Sequence, residues 1–307
     1  MAFTAQDVKA LREKTGCGMM DCKKALTAAD GDMDAAIDFL REQGLAKQAK
    51  KASRVAAEGI AFAMTSDDNT KGVVIEVNAE TDFVAKNADF QAFVKTCALT
   101  VLNNAPADVE ALLALKAEGS EMTVAELLQE KVLTIGENIQ IRRFERFEGP
   151  CVAYVHAGGK IGVLVNFETD ADPADPAFVA YGKDVAMQIA ALNTSYLDRN
   201  SVPADVIAHE KEIMVAQMKQ DPKMANKPEQ VLSKIVEGKI GKFYKENCLV
   251  DQEFVKDSSL TVGKYTEMTA KQLGVSISIK KFVRFEKGEG IEKKQDDFAA
   301  EVASMVQ

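Results

Sequence analysis

The chain has 307 residues and a mass of 33.3 kDa, which at roughly 100 to 200 residues per domain predicts two to three domains. The apolar share of 47% and charged share of 28% are those of a globular protein, and no apolar run approaches the roughly 20 residues a membrane helix needs, so no membrane association is expected. A net charge of -9 at pH 7 excludes the broad basic surface that direct DNA binding requires, leaving only local phosphate contacts.

In chain order, residues 1–55 read as a three-helix module. Val8 and Leu11, then Met20, Ala25 and Leu26, then Ala36, Ile37, Phe39 and Leu40 fall at helical spacing, and Gly16, Gly18 and Asp30-Gly31-Asp32 punctuate them. The third helix is expected over 32–42. Lys47, Lys50, Lys51 and Arg54 form a basic connector, read as a solvated helix or linker.

An internal repeat follows. Residues 123–148 align without gaps on 261–286, pairing Thr123 with Thr261, Gly136 with Gly274, Ile141 with Ile279, Arg146 with Arg284 and Phe147 with Phe285. Each copy predicts a threonine-capped helix that ends at a glycine and leads into a strand. Each also begins with a hairpin: strands over 59–65 and 72–78 in the first copy, and over 152–156 and 161–167 around Gly158-Gly159 in the second. Phe90, Phe93, Ala98 and Val101 match Phe178, Tyr181, Ala186 and Ile189 in a following helix. The core copies are thus 56–148, and 149–197 with 251–287. An insertion over 198–250 carries two apolar stripes, Val206, Ile207, Ile213, Met214 and Met218, then Val231, Leu232, Ile235, Val236 and Phe243, separated by a proline-containing break at 221–228. This predicts a helical hairpin, either a lobe of the core or an arm for a second subunit. Residues 288–307 follow the second copy as the last segment of the chain.

Catalysis finds no anchor. His156 and His209 are the two histidines, in no ligand pattern. Cys17 and Cys22 lack a second pair, and there is no phosphate-cradling glycine motif before a helix. The acidic pairs Asp67-Asp68 and Asp296-Asp297 lie in polar stretches that should leave their pKa values ordinary. No catalytic, metal-binding or cofactor-binding residue is expected, and no cofactor. Five scattered cysteines and the absence of an apolar leader read as free thiols in the cytoplasm.

Between the second strand and the helix of the first copy stands Glu80-Thr81-Asp82-Phe83-Val84-Ala85-Lys86. On pattern alone Thr81 or Asp82 caps a helix and Phe83 packs behind it, while Met19 and Met20 fit core or interface equally. Two classes stay open on the residues alone: an enzyme with a carboxylate site between the repeats, and a peptide-binding module.

The run Thr81 to Lys86 is similar to the signature of the translation elongation factor Ts family, as is Thr15-Gly16-Cys17-Gly18-Met19-Met20-Asp21-Cys22-Lys23-Lys24-Ala25-Leu26 near the start. The resemblance extends through His156 to Leu164, Ile279 to Glu286 and the closing 288–302 segment, in the family's order; the inserted helical pair and residues 105–120 resemble it least. It implies an α+β fold with a ubiquitin-associated-like N-terminal module, a duplicated antiparallel-sheet and helix core, an inserted helical hairpin and a C-terminal helical module over 288–307. It further implies a guanine-nucleotide exchange factor, without covalent chemistry, that binds elongation factor Tu in its GDP-bound and nucleotide-free states, displaces magnesium and promotes GDP release during translation elongation. Thr81, Asp82, Phe83 and Val84 would carry the exchange. Met19, Met20, Lys23, His156, Phe298 and Val302 would bind the partner, and the arm would support a homodimer or 2:2 complex. A non-catalytic scaffold that binds proteins through the ubiquitin-associated-like module is the alternative.

Overall fold

A computed structural model describes residues 3–192, 194–220, 227 and 229–292. Its first helix, α1 (Ala5–Thr15), starts at a reciprocal cap in which Thr4 Oγ1 accepts from the Asp7 N–H and the Asp7 carboxylate accepts from the Thr4 N–H. It ends where Gly16 takes the left-handed conformation that spares a side-chain clash. α2 (Met19–Ala28) and α3 (Met33–Lys51) complete a bundle around Val8, Leu11, Cys22, Leu26 and Leu40. The expected end of the third helix near 42 is thus corrected: the helix continues through Lys51, over most of the basic connector, whose residues are strong helix formers.

The first sheet follows, ordered β1 (Glu58–Thr65), β2 (Lys71–Ala79) and β3 (Gln140–Glu148), antiparallel throughout. Between β2 and β3 run α4 (Asp82–Ala85), α5 (Ala88–Asn104), α6 (Val109–Ala114) and α7 (Val124–Ile135). Thr123 and Glu126 cap α7 reciprocally and Gly136 ends it, as the threonine and glycine signals require. The second sheet is β4 (Cys151–His156), β5 (Ile161–Thr169) and, last in the chain, β8 (Ile277–Glu286). Between them lie α8 (Pro176–Leu192), α9 (Ala204–Gln220), α10 (Glu229–Asn247), the short pair β6 (Glu253–Phe254) and β7 (Asp257–Thr261), and α11 (Val262–Leu273), which Thr261 opens and Gly274 ends. The molecule is mixed α and β with small antiparallel sheets, and no helix among the described residues is long and apolar enough to cross a membrane.

Each sheet turns one face to helices and the other to its counterpart. Val73, Ile75 and Val77 of β2 pack on Phe90, Phe93 and Val101 of α5; Val163, Val165 and Phe167 of β5 pack on Phe178, Tyr181 and Ile189 of α8. The opposite faces meet through Ala61, Val74, Phe147, Cys151, Leu164 and Phe285. Both central strands are therefore buried on two sides, which is why they read as nearly continuous apolar runs.

The two sheets match in register. Residues of β2 correspond to residues of β5 ninety positions later, and both ladders carry a bulge at the same point, after Glu76 in one and after Asn166 in the other. The contact between the sheets is reciprocal. A methyl group added at Gly72 would lie 2.4 Å from Leu164 Cδ1 and 3.1 Å from Cys151 Cβ; one added at Gly162 would lie 3.1 Å from Val74 Cγ2 and from the Ala61 carbonyl. Each glycine admits the other sheet's equivalent residues, and backbones approach as only small residues allow.

The inserted segment is helical. α9 and α10 pack on each other around Met218, Val236 and Ile240, a small core of their own. The ion pair of Arg199 and Asp251 at 2.7 Å and the hydrogen bond from the Tyr196 N–H to the Asn247 carbonyl close its base. Ile213 and Val231, expected on the apolar stripes, are exposed. The break between the two stripes falls almost wholly outside the described residues, as do Phe298 and Val302 of the expected C-terminal helix.

Candidate functional site

The connection from β2 to α5 spans residues 80–87 and folds into the single turn of α4. Phe83 stands at 77% exposure on this turn while the next side chain, Val84, is buried in the first core. A large aromatic ring left in water beside an available apolar core costs hydrophobic free energy, so its placement needs external support. Glu137, just after the glycine that ends α7, provides it: its carboxylate accepts from the Glu80 N–H at 3.0 Å, the Thr81 N–H at 3.0 Å and the Thr81 hydroxyl at 2.7 Å. Thr81 occupies the N-cap position of α4 without a side-chain cap bond, since its hydroxyl donates to Glu137. At the other end Gln91 Nε2 donates to the Ala85 carbonyl at 3.0 Å, and Asn87 caps α5 through the N–H groups of Asp89 and Phe90.

Asp82 is exposed and pairs with Lys86 at 2.9 Å. The hydrogen bond from Lys86 and its positive charge hold the Asp82 carboxyl below the usual carboxylate range. The Lys86 ammonium also lies 5.8 Å from the centre of the Phe83 ring, within reach of its quadrupole. The turn thus presents an exposed aromatic ring flanked by a carboxylate and an ammonium.

The same junction ties the turn to the N-terminal helices. Asn138 donates its N–H to Glu80 at 2.6 Å and its side-chain amide to the Arg54 carbonyl at 2.8 Å; Arg54 reaches Glu80 at 3.4 Å, and Lys51 donates to the Gly136 carbonyl. The connector read as solvated is therefore anchored at its end. Glu137 was not singled out in the sequence, and the pairing of Arg54 with Glu80 was not foreseen, since the partners lie far apart along the chain.

Met19 and Met20 are exposed, at 46% and 65%, which removes the core alternative for both. Met20 and Lys23 line a shallow depression with Lys24, Thr27 and Ala28. His156 is exposed at the end of β4, with the Tyr154 hydroxyl 3.0 Å from its Nδ1. The structure gathers Thr81, Asp82, Phe83 and Val84 on one turn, and Met19, Met20 and Lys23 on one helix; His156 lies in the other sheet. A cavity of 480 Å³ between the N-terminal helices and α7 is lined by Leu40, Arg41, Met122 and Leu133 among others, and by none of the predicted site residues.

Beside the first sheet lies a buried carboxylate that the sequence reading also passed over. Glu76 is fully buried and accepts from Arg142 at 3.0 Å, Arg143 at 2.6 Å, Asn78 at 3.0 Å and the Gly288 N–H at 2.7 Å. Two consecutive arginines facing one acidic residue in an apolar strand are the signal that could have revealed it. Burial pushes the thiols of all five cysteines upward, to about 11 for Cys151 and Cys248, which makes them poor nucleophiles. Asp68 corrects the expectation for the acidic pairs: the Ser66 hydroxyl and the N–H and hydroxyl of Thr70 hold it down at about 2. No cluster of metal-ligating side chains forms among the described residues.

The arrangement sets an exposed aromatic ring and a charge pair on a turn held by hydrogen bonds. The family model described as Elongation factor TS matches residues 80–289, which include the whole Phe83 turn. The Elongation factor Ts of Syntrophotalea carbinolica is 49% identical over 308 residues, covering 99% of both chains. That of Trichlorobacter lovleyi is 49% identical, covering 99% of this chain and 98% of its own, and that of Clostridioides difficile is 48% identical, covering 99% of both. With its signature turn inside the matched region and relatives aligned from end to end, this chain belongs to the elongation factor Ts family.

Proposed function

We propose that the chain is a guanine-nucleotide exchange factor for elongation factor Tu, acting by binding alone. The observation that carries this reading is Phe83, 77% exposed on a turn seated by a buried Val84 and three hydrogen bonds to Glu137. The ring would enter the nucleotide domain of Tu, and Asp82 would disturb the groups that hold magnesium there. Met19, Met20 and Lys23 would extend the contact as the exposed face of a ubiquitin-associated-like module. His156 would reach a more distant part of Tu, and Phe298 and Val302 would dock through the C-terminal segment. In this reading the functional units are 1–55, a duplicated core of 56–148 and 149–197 with 251–287, the arm 198–250 and the terminal 288–307. The arm's separate core supports its service as a homodimer or 2:2 contact.

Reciprocity supplies the mechanism. A factor that binds nucleotide-free Tu more tightly than the GDP complex must weaken GDP by the same ratio. A thousandfold weakening needs about 4 kcal/mol. Burying one phenylalanine contributes about 1.5 to 3 kcal/mol, so the Phe83 wedge needs the loss of magnesium coordination and the wider interface beside it.

Stopped-flow release of a fluorescent GDP analogue from purified Tu, chased with unlabelled GDP, tests the reading. The chain should accelerate release and Phe83→Ala should abolish most of the acceleration while keeping the fold. No acceleration by the unaltered chain refutes it.

A further inference from the structure

We propose that Glu137 is a positioning residue of the exchange turn, holding Phe83 outward before any partner arrives without itself forming the wedge. The inference rests on the exchange reading above and deepens it. A helix of four residues cannot sustain itself, because nucleation fixes several residues for a single hydrogen bond. The turn at Asp82–Ala85 is held from outside: Val84 is embedded in the core, Gln91 holds the Ala85 carbonyl, and the Glu137 carboxylate takes the Glu80 N–H, the Thr81 N–H and the Thr81 hydroxyl together. Asn138 and Arg54 hold the Glu80 carboxylate, but Glu137 grips the backbone of Glu80 and Thr81 and the Thr81 hydroxyl directly before Asp82 and Phe83, so it sets the direction in which the ring leaves the surface.

The second copy isolates what Glu137 adds. There the N–H of Ser276 donates to Asp170 at 2.6 Å, as the N–H of Asn138 donates to Glu80 at 2.6 Å. The carboxylate that joins strand end to helix end is common to both copies. The position of Glu137, however, is Val275, which can accept no hydrogen bond from its side chain, and the connection there, residues 170–175, holds no helical turn and no aromatic residue. Clamp and wedge occur together in one copy and are absent together in the other.

The test is a double-mutant cycle on second-order GDP release, with hydrogen exchange of the free chain alongside. Glu137→Ala should slow release about tenfold, as loss of hydrogen bonds to a charged group implies. The loss should fall on the half-saturating concentration, with the plateau rate kept, because a turn that must order on binding reduces affinity by its populated fraction. Glu137→Gln, which keeps an acceptor oxygen, should recover most of it. The double variant Glu137→Ala with Phe83→Ala should match Phe83→Ala within about twofold. Amide exchange in the free Glu137→Ala chain should accelerate at Glu80 through Val84 and stay unchanged in the sheets. Unaltered release by Glu137→Ala, or effects of the two substitutions that multiply, would overturn the proposal. If Glu137→Ala lowers the melting point into the assay range, Thr81→Val takes its place in the same cycle. If the unaltered chain fails to accelerate release, the exchange reading falls by itself, and unchanged amide exchange over 80–84 still decides against the clamp.

Discussion

The connection after β2 and the connection after β5 leave equivalent strands a few residues past equivalent bulges and enter helices that pack alike, yet they do different things. The first spends eight residues, 80–87, on a turn that lifts Phe83 into water; the second takes six, 170–175, with Asp170 bonded to Ser276. Two extra residues and one glutamate separate a presenting loop from a plain link. The same divergence marks the bulges: Glu76, buried and ringed by Arg142, Arg143 and the Gly288 N–H, occupies the place that Asn166 fills by donating to the carbonyls of Glu148 and Pro150. The scaffold tolerates such change because the shared strand register and helix caps carry the fold, leaving bulge and connection free to specialise.

The comparison is most sharply broken at Phe83. Phe83→Ala should reduce stimulated GDP release by about 10- to 100-fold, the worth of one buried phenylalanine, whereas Asp172→Ala in the second connection should stay within about twofold in the same stopped-flow assay. Next comes Glu76→Gln, which leaves Arg142 and Arg143 facing a neutral group. The cost should be about 2 to 3 kcal/mol in urea unfolding, below that of a fully buried pair because the arginines reach water. Asn166→Ala, with no charge to strand, should cost about 1 to 2 kcal/mol. Equal costs would mean that the two bulges are not energetically distinct.

Much of the scaffold was legible from residues with local physics. Thr123 and Gly136, and Thr261 and Gly274, mark helix ends by capping alone, and the hairpins announced themselves by alternation. In β1 Ile60, Phe62 and Met64 alternate with Ala61 and Ala63, and the small residues face the other sheet and mark the close approach. Glu137 was illegible because a glutamate after a helix-ending glycine looks like any solvated turn residue, and its partners are more than fifty residues away. The exposure of Phe83 was not legible from pattern, since an aromatic residue after a cap is ordinarily buried; only the whole motif pointed outward. Asp68 was misread because two neighbours in its own turn, Ser66 and Thr70, hold it ionised.

Smaller effects sharpen the comparison further. Gly72→Ala and Gly162→Ala should each destabilise by about 1 to 3 kcal/mol through overpacking, and calorimetry should find similar values if the contact is as reciprocal as its geometry. A difference beyond about 1.5 kcal/mol would show that one sheet yields more readily. The smallest effect concerns acid. Asp68 has a folded-state pKa near 2 against an ordinary 3.8, so the stability it contributes is complete above 3.8 and is lost as pH falls through about 2. Nuclear magnetic resonance should show the Ser66 and Thr70 amides shifting in that window, while the turn of the second hairpin, Ala157-Gly158-Gly159, stays still.

The reciprocal seating of Gly72 against Leu164 and of Gly162 against Val74 has the form of a twofold axis, with each contact repeated with its partners exchanged. A single copy cut from this chain would bare an apolar sheet face whose natural complement is another copy of itself. Two identical halves would also carry identical connections, both wedges or both links. Covalent fusion lifts that restriction: one half can keep the quiet connection while the other alone bears Phe83, so that a pseudo-symmetric body carries a single exposed ring, on one side only.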